Sequence, residues 1–375
     1  SSIRAASSAR PTAGGSDMRF DYDTSYAEPL KLLRYRGEWF AYGALLLALA
    51  AFPLLAPRFY VGELTYIFIL CIAGLGLMVL TGFTGQVSLG HAAFVGVGAY
   101  AHALLLAHGV PFLVSLAGAS LVAGAAGLLI GLPAIRVSGL YLAMVTLAFS
   151  FVVEHVFGNW KSLTGGYNGM AVADPTLFGI DLGKLNPLYY FCLLVLVLVL
   201  TGLANLLRTR TGRAFIGVRD SEAAAHGLGI FVAGYKLLAF ALSATICGLA
   251  GGLLAHHLKF VTPEAFGLLL SMELLLMVVI GGMGSLHGAI FGAVLIGFLP
   301  AFISHLKPLL GQRIASQSGL EIFVFGSVLV LFVLFEPKGL YGRWLKLKGL
   351  IEYFPLYRKD TYRRVKSYMR SERYR

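Results

Sequence analysis

Long apolar runs separated by short polar segments dominate the chain from about residue 39 onward. A helix that crosses about 30 Å of hydrocarbon needs about 20 apolar residues, and several of the runs that approach this length are short or interrupted by glycine. The pattern alone allows nine or ten spans. The predicted spans are 39–56, 61–81, 90–108, 111–132, 138–157, 188–207, 237–256, 268–282, 287–305 and 320–335.

Basic residues outside the spans predict the orientation. Segment 208–236 carries a net charge of +3, and segment 336–375 carries +8. Loops rich in Lys and Arg stay in the cytoplasm, and only an even number of spans places 208–236 and both termini on that side. We therefore predict ten spans, with a cytoplasmic tail at 1–38, a transmembrane domain at 39–343 and a basic cytoplasmic tail at 344–375.

The composition indicates a membrane protein and excludes an ordinary soluble enzyme. The 375 residues are 58% hydrophobic and 13% charged, whereas soluble domains are about 25% charged. Alternating ten-residue strands, which would indicate an outer-membrane barrel, are absent. The three cysteines lie far apart inside apolar runs without metal-ligand spacing, so we expect no metal site.

The net charge of +12 lies mainly beside predicted spans, where anionic headgroups attract it, so we expect a lipid membrane and no nucleic acid as partner. The basic stretch from Trp344 onward combines aromatic anchors with basic flanks, which is typical of an interfacial segment. It either fixes the topology by lying on lipid or offers a docking surface to a partner.

Residues 81–100 contain the most informative interruption of a span. Glycines and small polar residues break an otherwise apolar run, and irregular backbone at membrane depth persists only inside protein or beside a wet cavity. Gln86, Ser88 and His91 could hydrogen-bond a charged or zwitterionic solute there. The alternative is close helix packing through small residues. A weaker copy of the pattern at 276–292 indicates an internal duplication.

A cytoplasmic segment, 211–229, contains a second pattern. Asp220 and Ser221 are suited to cap a short helix that begins with Glu222. Gly227 and Gly229 would then end it. A compact helix on the cytoplasmic face is a natural contact for another protein.

On the opposite side, the long predicted periplasmic loop 158–187 contains Gly165, Gly166 and Gly169, which permit tight turns. It is a candidate contact for a protein that arrives from outside. Within the spans, Glu273 is the deepest ionisable residue and therefore a candidate functional group. Four others lie near outer helix ends, where snorkelling to water explains them: Glu154, His155, His256 and His257.

These stretches resemble the LivM-type permease subunits of branched-chain amino-acid ABC importers. The likeness covers most of residues 60–343. The motifs that carry it are Gly85–His91, Ser138–Phe149, Leu163–Gly166, Gly212–Phe215 with Arg219–Glu222, Gly281–Ser285 and Phe335–Leu340. The implied fold is an all-α integral membrane protein of about ten transmembrane helices, some of them broken or re-entrant, in the architecture of an ABC importer permease.

The resemblance also implies partners and roles. The importer would contain a second related permease, two cytoplasmic ATPase subunits and a periplasmic binding protein, in a bacterial inner membrane. The candidate coupling residues are Arg219, Asp220, Glu222, Ala223, Ala224, Gly227 and Gly229, although Leu228 stands where the family motif expects glycine. The candidate substrate path is Gln86, Ser88, His91 and Glu273, and the candidate binding-protein contact is Gly165, Gly166 and Tyr167.

No phosphate-binding loop of the Gly-x-x-x-x-Gly-Lys-Ser/Thr type occurs in the chain. ATP and Mg²⁺ would therefore bind to the partner ATPases, and the chain itself would be neither an enzyme nor a cofactor carrier. Two alternatives remain open at this point. The same architecture can import urea, short amides or aromatic acids. An ion-coupled secondary transporter would use Glu273 and the broken helices instead.

Overall fold

The computed structural model describes residues 36–306 except 178–179, residues 339–353, and the isolated positions 326–327, 330 and 334. The chain divides into two compact units, residues 1–47 and 48–375. The described part of the first unit is the opening of a helix. All contacts discussed below lie within the second unit.

The described residues are almost entirely helical because the sequence is apolar over lengths that only hydrogen-bonded helices can bury in lipid. The helices are α1 Arg36–Leu55, α2 Arg58–Leu77, α3 His91–Ala107, α4 Phe112–Ala134, α5 Leu140–Asn159, α6 Lys161–Thr164, α7 Leu185–Arg208, α8 Arg210–Asp220, α9 Glu222–Gly227, α10 Val232–Leu258, α11 Leu268–Gly281, α12 Leu286–Leu306 and α13 Gly339–Tyr353. Short strands are β1 Met170–Ala171, β2 Thr176–Leu177, β3 Ile180–Asp181 and β4 Phe260–Val261.

Among the described residues, seven helices are long and apolar enough to cross a membrane. The apolar segments Trp39–Leu55 and His91–Ala107 are shorter. Together they account for the first nine predicted spans, with ends that differ by a few residues. Most of the predicted span 320–335 and most of both predicted tails lie outside the described residues, so the count of ten stays a prediction.

Helix α10 occupies the centre of the bundle and packs against α2, α3 and α4. Glycines permit this close packing. A Cβ atom on Gly98 of α3 would overlap the backbone of Gly248, and one on Gly251 would overlap the carbonyl of Val95. Gly98 therefore serves helix packing, which is the simpler of the two sequence interpretations.

The bundle has two distinct ends. Helices α8 and α9 lie between α7 and α10 at one end, which we call the α9 end. At the other, the strand end, β1 pairs antiparallel with β4, and β2 pairs with β3. Helices α7 and α10 run between the two ends.

At the α9 end, two irregular segments lie between consecutive helices. Helix α2 continues as a π-helix over Met78–Phe83, and irregular residues 84–90, the first break, lead into α3. Residues 282–285, the second break, connect α11 to α12. The two breaks touch, since the Gly284 N–H contacts the Met78 sulfur at 3.3 Å. Helix α13 also begins here, with Gly339 against Gly282, and it crosses the predicted boundary between residues 343 and 344.

Candidate functional site

His91 lies at the centre of a buried hydrogen-bond chain beside the first break. Its Nδ1 is 2.7 Å from the Ser88 hydroxyl and its Nε2 is 2.7 Å from the Ser243 hydroxyl. Ser243 donates its own proton to the Gly76 carbonyl at 2.6 Å. Nε2 of His91 must therefore donate to Ser243, which leaves Nδ1 to accept from Ser88. The imidazole joins α2, α3 and α10 as one defined tautomer.

Side chains from two other helices satisfy the backbone where α3 begins. The Leu89 N–H donates to the Thr146 hydroxyl of α5 at 3.0 Å. The Ala92 N–H donates to the Ser271 hydroxyl of α11, also at 3.0 Å. These bonds replace the partners that the first N–H groups of a helix lack. Protein groups thus support the irregular backbone, as membrane depth requires.

Gln86 differs from its neighbours because part of its side chain has no partner. Its Nε2 donates to the Thr84 hydroxyl at 3.2 Å, and its backbone carbonyl accepts from Thr81 at 3.1 Å. The Oε1 atom is buried and accepts no hydrogen bond from the described residues. Buried acceptors in folded proteins normally receive a hydrogen bond from a donor. Gln86 is therefore the predicted path residue with unused capacity to bind a solute or a water molecule.

Glu273 lies apart from this network. It follows Ser271 by two positions on α11, and two positions rotate a side chain by about 200° on a helix, so it faces away from α3. It lies in the first half of α11, which follows the strand end, whereas His91 lies beside the first break. The structure thus brings Gln86, Ser88 and His91 together but not Glu273.

A buried pair of histidines lies nearer the strand end. Nε2 of His102 on α3 is 2.8 Å from Nε2 of His256 on α10, and Nδ1 of His102 is 3.0 Å from the Ser115 hydroxyl of α4. His256 is therefore bonded inside the bundle rather than snorkelling, which corrects the sequence interpretation of this residue. Among the described residues, no three His, Cys, Asp or Glu side chains form a group that could hold a metal ion.

The predicted short helix at the α9 end is present as α9. The Ser221 hydroxyl caps it by accepting from the Ala224 N–H at 3.2 Å. Gly229 follows it at φ +80°, so the predicted stop is confirmed. The Glu222 carboxylate lies 2.7 Å from the ammonium group of Lys236. Because Lys236 is only 4% exposed, this ion pair holds α9 against the start of α10.

The outward face of α9 is apolar and uncovered by the described residues. Ala223 and Ala224 are exposed, and a Cβ on Gly227 would meet nothing within 4 Å. Leu228 and Phe231, just beyond the helix, are 81% and 72% exposed. Small residues beside two large apolar ones form a surface that a partner groove could cover. We call these five residues the α9 face.

Arg219 connects this element to both breaks. Its Nη1 donates to the Gly82 carbonyl of the π-helix at 3.1 Å. Its guanidinium also binds the Asp220 carboxylate at 3.0 Å, so Asp220 pairs with Arg219 and does not cap α9. A Cβ on Gly85 would lie 3.0 Å from Cγ of Arg219, and one on Gly284 would lie 2.8 Å from its Nη1. Arg219 of α8 thus packs against both breaks.

The loop at the strand end uses its glycines as predicted. Gly165, Gly166 and Gly169 have φ angles of +74°, +66° and +70°, which favour glycine. Tyr167 packs over Gly158, where a Cβ would enter the tyrosine ring, yet more than half of Tyr167 remains exposed. The loop therefore presents an exposed aromatic residue on a rigid turn, beside the β1–β4 pair.

The comparison with known proteins agrees with this architecture. The family described as "Branched-chain amino acid transport system / permease component" matches residues 59–333. The chain belongs to this permease family. Together with its apolar helices, this membership makes it a multi-pass membrane protein.

Two relatives of this permease are the "High-affinity branched-chain amino acid transport system permease protein LivM" of Salmonella typhimurium and of Escherichia coli. They are 36% and 35% identical to it over 322 residues, which cover 79% of this chain and 73% of each relative. A "Probable branched-chain amino acid transport permease protein LivH" of Methanocaldococcus jannaschii is 28% identical over 56% of this chain and 67% of its own. No solved structure matches the permease.

Sequence reasoning missed several residues that hold the site of this permease together. Ser243, Thr146 and Ser271 anchor the first break from three other helices, and Lys236 anchors Glu222. A serine or threonine in an apolar helix has no distinctive local pattern, since it commonly bonds its own helix backbone. Lys236 did carry a signal, because a lysine at the start of a membrane helix invites a carboxylate partner.

Proposed function

We propose that this permease is a transmembrane subunit of an ATP-driven importer and forms part of the path for branched-chain amino acids across a bacterial inner membrane. The relatives named for high-affinity branched-chain amino acid transport support this cargo. Membership in a family of permease components favours a multi-subunit importer over an ion-coupled secondary transporter. Both termini and the α9 end would face the cytoplasm, where the Lys and Arg excess predicts them.

One observation carries the proposal: a capped helix with an exposed apolar face is tied to the broken helices by a single arginine. A cytoplasmic ATPase that binds ATP and Mg²⁺ would cover the α9 face. Arg219 would transmit its movement to the first and second breaks through the Gly82 carbonyl and the Gly284 backbone. The Glu222–Lys236 ion pair would keep α9 and α10 moving together.

The remaining partners follow from the same arrangement. A second related permease would complete the membrane path, and two ATPase subunits would drive it. A periplasmic binding protein would deliver the amino acid at the strand end, where Tyr167 projects from the turn that Gly165 and Gly166 make possible.

Along the path, we propose different roles for the predicted residues. Gln86 would contact the solute through its unused Oε1. Ser88 and His91 would support the path by fixing the first break. Glu273, in the half of α11 nearer the strand end, would meet the amino acid earlier in its passage.

The test is the Ala223→Trp variant in a reconstituted complex of permeases, ATPases and binding protein. Ala223 is exposed, so the indole should leave the permease folded. It should overpack the docked ATPase, at a cost of about 1–3 kcal/mol, and abolish the stimulation of ATP hydrolysis by leucine-loaded binding protein. Ala223→Ser, which stays small, is the matched control and should retain stimulation.

Two results would contradict the proposal. Full leucine stimulation in Ala223→Trp would show that the α9 face does not contact the ATPase. Stimulation of the wild-type complex by urea, short amides or aromatic acids, but not by leucine, would reassign the cargo while leaving the architecture in place.

A further inference from the structure

Helix α13 lies on the surface of the bundle where α12 begins. Gly339, at φ +66°, packs against Gly282 in the second break, and the helix then runs against α11 and α12. From residue 343 to 347 its side chains are exposed. Trp344, Leu345 and Leu347 are each almost half exposed, which is a large apolar surface for a helix that nothing described covers.

A groove of about 740 Å³ separates α13 from α12. Its α12 wall is formed by Phe291, Val294 and Leu295, and Trp344 faces them from α13. The Phe291 and Trp344 rings lie 6.0 Å apart. Pockets that hold small molecules range from about 300 to 1,000 Å³, so the groove has room for an apolar chain.

Both charged side chains among the described residues that line this groove are basic. Arg343 and Lys346 line it from α13, and residues three positions apart lie on one face of a helix. None of the described residues that line the groove is acidic. An apolar cleft with two cations on one wall complements a molecule that joins a hydrocarbon chain to an anionic head.

We propose that this α12–α13 groove binds an anionic phospholipid. One acyl chain would lie against Phe291, Val294 and Leu295 on the membrane-spanning helix α12. The phosphate would contact Arg343 and Lys346, and Trp344 would sit at the boundary between headgroup and hydrocarbon, where tryptophan is favoured. Basic pockets beside membrane helices recognise anionic headgroups in this way.

This site is independent of the proposed coupling to an ATPase, because it requires only that the permease lies in a bilayer. It assigns the interfacial segment from Trp344 to lipid rather than to a protein partner. Its position has a consequence for the second break, since α13 starts on Gly282. A bound lipid would hold α13 in place beside that break.

The test uses Trp344 as a reporter in the full-length permease. Trp39→Phe and Trp160→Phe remove the other two tryptophans. In phosphatidylcholine vesicles, brominated phosphatidylglycerol should quench Trp344 at a lower mole fraction than brominated phosphatidylcholine does. Each cation near a membrane surface strengthens binding of an anion about fivefold, so the preference should be at least about fivefold.

Substitutions distinguish the basic residues that would contact the headgroup from the apolar groove that would hold the acyl chain. Arg343→Gln with Lys346→Gln should bring the two quenching curves together, whereas Val294→Phe, which fills the groove, should weaken quenching by both lipids. Arg208→Gln with Arg210→Gln removes the same charge elsewhere at the α9 end and should preserve the preference.

Three results would overturn the proposal. One is equal quenching by both lipids before Arg343 and Lys346 are changed. Another is a preference that survives the Arg343 and Lys346 substitutions. The third is weak quenching by both lipids, which would show that protein, such as a second permease subunit, fills the groove.

Discussion

The two breaks come from similar sequences but are held in place by different forces. Both follow a Leu-Met-x-x-x-Gly stretch, and both contain a serine that is followed by leucine shortly before, or at, the start of the next helix. The first break and the start of α3 are fixed by hydrogen bonds from side chains on α5, α10 and α11, together with one glycine contact, because a Cβ on Gly90 would overlap the Thr146 carbonyl of α5. In the second, Gly281 and Gly292 approach the backbones of Gly288 and Met277 so closely that no Cβ would fit.

A transposition of two residues explains why the histidine is buried beside the first break and exposed beside the second. The first break enters α3 as Gly90-His91, and the second enters α12 as His287-Gly288. Adjacent helical positions differ by about 100°, so the exchange turns the histidine to another face. His91 is buried in its hydrogen-bond chain, whereas His287 is exposed and stacks on Tyr341 of α13 at 6.1 Å.

Side-chain hydrogen bonds and glycine contacts respond differently to motion. A hydrogen bond between helices in a membrane contributes about 0.6 to 2 kcal/mol and can be exchanged for another partner. A glycine contact requires two backbone segments to stay close together, and no other group can take over this contact. We infer that the second break pivots as a rigid unit, while the first rearranges around the contact of Gly90 with Thr146. Arg219, which contacts both, is placed to drive them together.

The largest effect should come from filling the glycine contact of the second break. A Cβ in Gly281→Ala would overlap the Gly288 carbonyl and the Gly292 nitrogen, which are backbone atoms that cannot rotate away. We expect a loss of about 3 kcal/mol in the free energy of unfolding, measured by thermal unfolding in detergent.

Gly74→Ala is the matched control because Gly74 is also a buried helical glycine but has nothing within 4 Å of its Cβ position. Its stability should change by no more than about 1 kcal/mol. If Gly281→Ala were as stable as Gly74→Ala, the second break would not depend on close backbone packing.

A smaller difference in the free energy of unfolding is expected between substitutions of the two histidines. His91→Ala removes the bonds to Ser88 and Ser243 and leaves buried hydroxyls with fewer partners, so we expect a loss of about 2 kcal/mol. His287→Ala at the equivalent break should change stability by less than about 0.5 kcal/mol, because this residue is exposed. Chemical unfolding of both variants in the same detergent measures the difference. Equal losses would contradict the contrast between the two breaks.

These contrasts show which features of the structure could be predicted from the sequence alone. The spans and breaks were predictable because apolar length and glycine content are local properties. The pairing of His91 with Ser243 joins positions 152 residues apart and depends on how each helix is rotated. Helices that are apolar all round carry no periodic face to show that rotation. The His102–His256 pair was missed for the same reason, whereas the Glu222–Lys236 pair was missed although Lys236 carried a signal.

The smallest effect on stability, and the most informative for transport, should follow Gln86→Leu. Leucine has a volume similar to that of glutamine. The substitution removes the buried acceptor that has no donor among the described residues, and it also removes the 3.2 Å hydrogen bond to Thr84. Removing an unsatisfied buried group offsets the loss of a weak bond, so the free energy of unfolding should stay within about 1 kcal/mol of wild type.

Leucine uptake by the same variant decides what Gln86 does. If Oε1 contacts the solute, uptake should fall about tenfold, since one lost hydrogen bond to a charged group corresponds to about 1.5 kcal/mol or more. Gln86→Glu, which keeps an acceptor at this position, should retain more uptake than Gln86→Leu. Normal uptake in a stable Gln86→Leu variant would instead confine Gln86 to the packing of the first break. A stability loss above about 2 kcal/mol would mean that Oε1 already has a donor, such as a bound water. The first break would then be a closed hydrogen-bond network, as rigid as the glycine contact of the second.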